Sequence, residues 1–290
     1  IPSTPNLGCL FVTNTASLNP VVVANGAIGV TIENIGFDGT SRTNSLGSAI
    51  RFASGAGTTN RIYLRVISVV NWKGYGIEIN DTEDSHFDDI TMSGVGDATG
   101  SKGAITTATD SSSNHFSQIQ IDEPYFAGIY ESSTAGANLW TQLKVDLGGS
   151  PAGTINFLVP GATPRDILTN FQFRGDPSAA GTWGDALHFD GAATDWTISD
   201  GYFWRSEAKG PFTPSAIAFN STLSGMQVSD VIIDGLTRGI NDASAVGVNT
   251  FKGITFRNNT SDTVFSNSEL VIDQDSITLP GQVTSTLASG

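Results

Sequence analysis

Two aspartates, Asp122 and Asp146, close the same short motif in two successive copies, Ile119-Gln120-Ile121-Asp122 and Leu143-Lys144-Val145-Asp146. Glu123 follows the first, and Arg174 and Trp204 hold the same place in the next two copies, with Arg205 beside the last. Paired carboxyl groups suit the cleavage of a glycosidic bond. One, protonated, gives its proton to the leaving oxygen. The other, ionised, acts as nucleophile at a separation of about 5 Å, or as base for a water at about 6.5–9.5 Å. Like charges this close also raise one of the two pKa values, which a proton donor near neutral pH requires. Tyr125, Trp183 and Trp204 offer aromatic faces on which sugar rings stack, and Lys144, Arg174 and Arg205 offer donors to hydroxyls.

A second chemistry uses the same neighbourhood. Eliminating across a uronate needs a base for the proton α to the carboxyl group and cations that neutralise the carboxylate, roles open to Lys144 and Arg174, with Ca²⁺ bound by an acidic cluster. The stretch Asp81-Thr82-Glu83-Asp84-Ser85-His86-Phe87-Asp88-Asp89 is acidic but matches no calcium-loop spacing and reads more simply as a solvated face. His86, His115 and His188 fall on different repeats and read as turn residues rather than ligands, so no metal site is assigned and hydrolysis requires no cofactor. Each candidate also has an ordinary role. Strand-end Asp accepts backbone N–H bonds in turns, Arg174 pairs with Asp146 one repeat away, and Trp140 and Trp196 fall at inward positions.

The elements that must position these residues are short strands. No stretch of ten residues carries apolar positions at i, i+3, i+4 and i+7, and Gly, Ser, Thr, Asn and Asp interrupt every apolar run. One form recurs: an apolar residue, two polar ones, apolar-polar-apolar, then Asp, Gly or another turn residue. Its first positions are Ile32, Leu64, Phe87, Phe116, Trp140, Leu168, Ile198, Val228, Phe251 and Ile272, spaced by 21 to 32 residues, the range of stacked structural repeats. Most copies carry a second strand, such as Gly76-Ile77-Glu78-Ile79 or Ala216-Ile217-Ala218-Phe219. Two or three strands per repeat, stacked at about 4.8 Å, predict an all-β solenoid of about ten coils in which equivalent residues form columns. One such column is Asp38, Val70, Ser93, Asp122, Asp146, Arg174, Trp204, Asp234 and Arg257; its neighbour is Gly36, Ser68, Thr91, Gln120, Lys144, Gln172, Tyr202, Ile232 and Thr255. An array of immunoglobulin-like sandwiches is the structural alternative. It accounts for the strand spacing but not for the recurring motif.

Composition narrows the partners. The 290 residues carry 14 Lys and Arg against 28 Asp and Glu, a formal charge of −14 with no compensating basic stripe, which disfavours nucleic acid and polyanionic polysaccharides. No apolar run approaches the roughly 18–20 residues of a membrane-spanning helix. One cysteine, Cys9, excludes a disulfide framework within the chain.

Runs such as Val30-Thr31-Ile32-Glu33-Asn34-Ile35-Gly36-Phe37-Asp38-Gly39 and Asn249-Thr250-Phe251-Lys252-Gly253-Ile254-Thr255-Phe256-Arg257-Asn258 resemble the right-handed parallel β-helix, or pectate-lyase-like, superfamily. The resemblance implies a β-helix over residues 28–280, with a lead-in or cap at 1–27 and a C-terminal extension at 281–290. It further implies a carbohydrate partner, since the superfamily includes polysaccharide lyases, glycoside hydrolases, epimerases and phage tailspike depolymerases. The chain looks most like a tailspike body: an extracellular or virion-associated homotrimer recognising and cleaving a polysaccharide. Asp122 and Asp146, with Glu123 in reserve, would be catalytic, and Lys144, Arg174, Trp204, Tyr125, Trp183 and Arg205 would bind substrate. The alternatives are a lyase or epimerase on uronate glycans, and a non-enzymatic adhesin or fibre segment.

Overall fold

The computed structural model describes residues 8–13, 18–40, 42, 47–97, 99, 101–151, 153–175, 184–205, 215–220, 223–242, 249–265 and 270–272. Trp183 and the expected extension at 281–290 lie outside them. The described chain is all strand and turn, winding as a parallel β-helix. A 13-stranded sheet and a 10-stranded sheet run its length, with a two-stranded ribbon between turns. All strand pairs in them are parallel, for example His115–Asp122 against Leu139–Asp146, which excludes an antiparallel sandwich array. Cys9–Val12 and Val21–Val23, within the segment expected as a lead-in, already pair with Thr31–Asp38 and Ser48–Phe52. No described helix is long and apolar enough to cross a membrane.

The recurring motif is explained by a corner. Ile32 pairs with Leu64 and Ile35 with Ile67, but Asn34 and Val66 between them drop out of the ladder with φ of 58° and 52°. Asp89, Gln118, Gln142, Asn170, Asp200 and Asp230 repeat this left-handed conformation coil after coil. A left-handed residue between extended stretches turns the chain, so residues i and i+3 both face inward, which a flat strand of period two cannot achieve. A second left-handed column, Arg61, Asp84, Ser113, Ala137, Arg165 and Asp195, marks the corner before the strand.

Seven coils carry this bent strand intact, over eight or nine residues, from Thr31–Asp38 to Thr197–Arg205. Beyond them it splits into Gln227–Ser229 with Ile232–Asp234 and Asn249–Lys252 with Thr255–Arg257. The regular solenoid is therefore about seven turns, slightly shorter than the ten read from sequence, because the motif persists into coils whose strand is broken.

Stacked side chains fill the interior. Phe87, Phe116 and Trp140 are fully buried, with ring centroids 4.7 and 3.8 Å apart and planes within 11° and 6° of parallel. Trp196 is buried as well, and each such ring removes apolar surface worth about 1.5–3 kcal/mol. A ladder of polar groups runs through the interior as well. The amide of Ile62 donates to Ser85 Oγ (3.0 Å), that of Ser85 to Asn114 Oδ1 (3.2 Å), that of Asn114 to Asn138 Oδ1 (3.1 Å) and that of Asn138 to Asp166 Oδ1 (2.9 Å). Corner N–H groups that the sheets leave unpaired are thus satisfied by the next coil.

Candidate functional site

The register places both columns as the motif requires. Ser93 lies beside Asp122, Asp122 beside Asp146, Asp146 beside Arg174, Arg174 beside Trp204, and Trp204 beside Asp234. The parallel column runs Gln120, Lys144, Gln172, Tyr202. Leu143 and Val145 anchor their strand inward, so Lys144 and Asp146 alternate outward, and the same holds around Gln120 and Asp122.

Three carboxyl-bearing residues on adjacent coils, Asp122, Glu123 and Asp146, stand where the strand ends. Asp146 is held from two sides: Arg174 Nη1 donates to its Oδ2 at 2.7 Å, and the Gly148 amide to its Oδ1 at 2.9 Å. Asp122 Oδ2 accepts the Gln120 side-chain amide at 2.8 Å. Glu123 has φ of 54° and is exposed, and its carboxylate lies over the turn that follows Asp146: a Cβ on Gly149 would stand 2.9 Å from Glu123 Oε1. Gly149 has φ of 81°, a left-handed conformation that favours glycine, and a side chain there would have to displace the Glu123 carboxylate.

Arg174 faces both ways along the column. Its guanidinium carbon sits 4.8 Å from the Trp204 ring centroid while Nη1 holds Asp146. Trp204 is half-buried and stacks on Tyr202 at 6.2 Å and 12°. Tyr202 Oη donates to Asp234 Oδ2 at 3.4 Å, and burial followed by the Asp234 charge pushes its phenol pKa up. Tyr202 was not singled out from sequence, although its place two residues before Trp204 on an alternating strand was the available signal. A small apolar recess lined by Leu147, Phe173, Ala186 and Leu236 opens beside Trp204. Burial lowers the Arg205 pKa from its usual value.

Tyr125 stands apart from this strip. Arg42 lies over its ring at 3.3 Å while donating to the carbonyl oxygens of Gly94 and Gly96, the latter at 2.6 Å, so one face of Tyr125 is already occupied. The acidic stretch 81–89 does not converge. Asp81 accepts from the Gly55 amide, Asp84 and Asp89 sit at two different corners, and Asp88 accepts from Ser117 Oγ. No cluster of three His, Cys, Asp or Glu suited to a metal occurs among the described residues.

A second polar cluster lies on the 10-stranded sheet. His188 Nδ1 meets Asp185 Oδ2 at 2.7 Å and Nε2 meets Asp190 Oδ1 at 2.6 Å, with Asn220 bridging to both His188 and Asp190. Burial alone would lower the imidazole pKa, but the hydrogen bonds and charges of the two aspartates raise it. Both ring nitrogens are thus held by carboxylates.

No protein-family model matches the chain, and no curated protein matches it. Solved structures do. The catalytic domain of a GH87 α-1,3-glucanase in complex with nigerose superposes with a TM-score of 0.50 at 12% identity, over 86% of this chain and 49% of that one. A single-residue variant of a GH87 α-1,3-glucanase catalytic domain, also with nigerose, matches with a TM-score of 0.46 at 9% identity, over 91% of this chain and 62% of that one. The chain thus spans about half the length of the first of these structures. What it shares with that glucanase domain is the parallel β-helix fold.

Proposed function

We propose that this chain is a polysaccharide-cleaving β-helix of the glycoside hydrolase type, working at the corner formed by Asp122, Glu123 and Asp146. The observation that carries the reading is the adjacent-coil register of Asp122 and Asp146, continued without a gap into Arg174 and Trp204. Asp146, braced as an anion by Arg174 and the Gly148 amide, is the base or nucleophile. Asp122, which meets an amide rather than a cation, is the acid that protonates the leaving oxygen as the glycosidic C–O bond breaks and water supplies the new hydroxyl. Sugar rings bound along the column meet Trp204 and Tyr202, and Lys144, Gln172 and Arg205 face their hydroxyls. The likeness to a glucanase fold supports the substrate class, so α-1,3-glucan heads the list of glycans to try.

The finer reading is an extracellular or virion-associated tailspike body assembled as a homotrimer. It is supported by an outward ribbon of Tyr63, His86, His115, Leu139 and Ile167 along one edge, apolar enough for a sister chain to cover; Tyr63 and Ile167 are 49% and 42% exposed.

The test is incubation with a panel of neutral and uronate glycans, alongside Asp122→Asn and Asp146→Asn. New reducing ends without the ultraviolet absorbance of an unsaturated product, reduced at least about 100-fold in both variants, are expected. Unsaturated products would overturn hydrolysis in favour of elimination, and glycan binding with no product would leave an adhesin.

A further inference from the structure

Two carboxyl groups are sealed inside the solenoid. Glu131 ends the strand Ala127–Glu131, Asp166 precedes the strand Ile167–Gly175, and both are fully buried. Period-two alternation sends Ile129 and Glu131 inward together, and Asp166 is the last described rung of the polar ladder through Asn114 and Asn138. The groups facing them are neutral: Thr107, Ser133, Asn138 and Trp140. The charge that acts on Glu131 is Asp166 itself, of the same sign.

Their hydrogen bonds are unequal. Asp166 accepts the Asn138 amide at 2.9 Å and the Trp140 indole N–H at 3.2 Å, the donor set an anion takes. Glu131 Oε1 accepts the Ser133 amide at 3.1 Å, whereas Oε2 is buried with only the Thr107 hydroxyl, in the directly adjacent register position, to face it and no well-formed hydrogen bond between them. A carboxylate oxygen sealed from water with no cation, a second carboxyl group nearby and only one poorly placed hydroxyl beside it is among the costliest groups to bury. A proton on Oε2 removes the charge and gives Thr107 Oγ1 a hydrogen to accept. We infer that Glu131 and Asp166 form a proton-holding pair in the core, with the proton on Glu131, and that the folded coils keep it at neutral pH.

Burial followed by the Asp166 charge raises Glu131 well above the usual carboxylate range, and burial raises Asp166 to about 7. For groups raised in the folded state the sign is fixed. The native chain holds protons that the unfolded chain releases above about pH 4, so the stability they contribute is complete below that pH and is lost as pH rises through about 7 and beyond.

Infrared spectroscopy at pH 7 should show the carbonyl band of a buried protonated carboxyl, absent in Glu131→Gln. Gln is the isostere of the protonated form, its amide donating toward Thr107. The wild-type unfolding midpoint should fall by roughly 5–10 °C between pH 4 and pH 8, and Glu131→Gln should flatten much of that fall. The infrared band is read on the wild type alone, so it stands even where the variant folds poorly. No protonated band at pH 7 would overturn the inference, as would equal pH slopes in the two proteins, or a midpoint lowered by a chelator in wild type but not in Glu131→Gln, which would put a cation where the proton is placed.

Discussion

Gly149→Ala separates the carboxylate corner from the solenoid that carries it. Gly149 has φ of 81°, where an L-residue costs about 1–2 kcal/mol. The new Cβ would stand 2.9 Å from Glu123 Oε1, the free end of a flexible side chain, so the contact is relieved by moving that carboxylate at little further cost. Unfolding entropy of about 2.1 cal/mol/K per residue over 290 residues gives about 0.6 kcal/mol per degree, so the midpoint should drop by only about 2–3 °C if the chain melts as one unit. Activity should fall more. With Glu123 displaced from the turn after Asp146, kcat/KM is expected to drop about tenfold, equivalent to about 1.4 kcal/mol of transition-state stabilisation. Thermal melts and initial rates on the best glycan of the panel, with Glu123→Gln alongside, decide it. Full activity in both variants would remove Glu123 from the site and leave Asp122 and Asp146 as the pair. A midpoint loss well above 5 °C would mean that the Gly149 turn serves the fold rather than the corner.

Trp140→Ala removes the ring that stacks 3.8 Å from Phe116 and donates to Asp166, and is expected to cost about 3–5 kcal/mol, a midpoint drop of about 5–8 °C; a shift under about 2 °C would deny the aromatic ladder its role. His188 should titrate above its ordinary value in a proton NMR series. Its contribution to stability is complete below about pH 6.5 and lost as pH rises through the raised value; a ring titrating at or below the ordinary value would contradict the double aspartate clamp.

The columns were legible because a solenoid converts sequence spacing directly into neighbours: an anchor in each repeat fixes the register, and Asp122 falls beside Asp146 whatever the loops between them do. The left-handed corner was legible only as two consecutive polar residues. At Val66 a β-branched side chain holds the corner conformation, and its type gives no hint of it. Arg42 over Tyr125 was hidden for the opposite reason, since the contact joins residues far apart in the chain that belong to different coils and no repeat relates them. Glu131 and Asp166 read as surface residues by type. In the structure the alternation that buries Ile129 carries Glu131 inside as well, against its charge.

Local charge bears on which glycan the strip suits. At the corner, Glu123 and Asp146 supply two negative charges beside Asp122, the proposed proton donor, and Lys144 and Arg174 supply two positive ones, of which Arg174 is committed to Asp146 at 2.7 Å. A polyuronate would bring a carboxylate per residue toward a corner without surplus cation, on a chain of formal charge −14. A neutral glycan meets no such barrier. It needs a proton donor, an anion held in place and a platform for its rings, and one guanidinium links the last two by holding Asp146 while lying 4.8 Å from the Trp204 ring centroid. Fixing Arg174 against the indole restrains the carboxylate it holds, so under the proposed function a sugar settling on Trp204 would already be aligned with the corner three coils away, at Asp122.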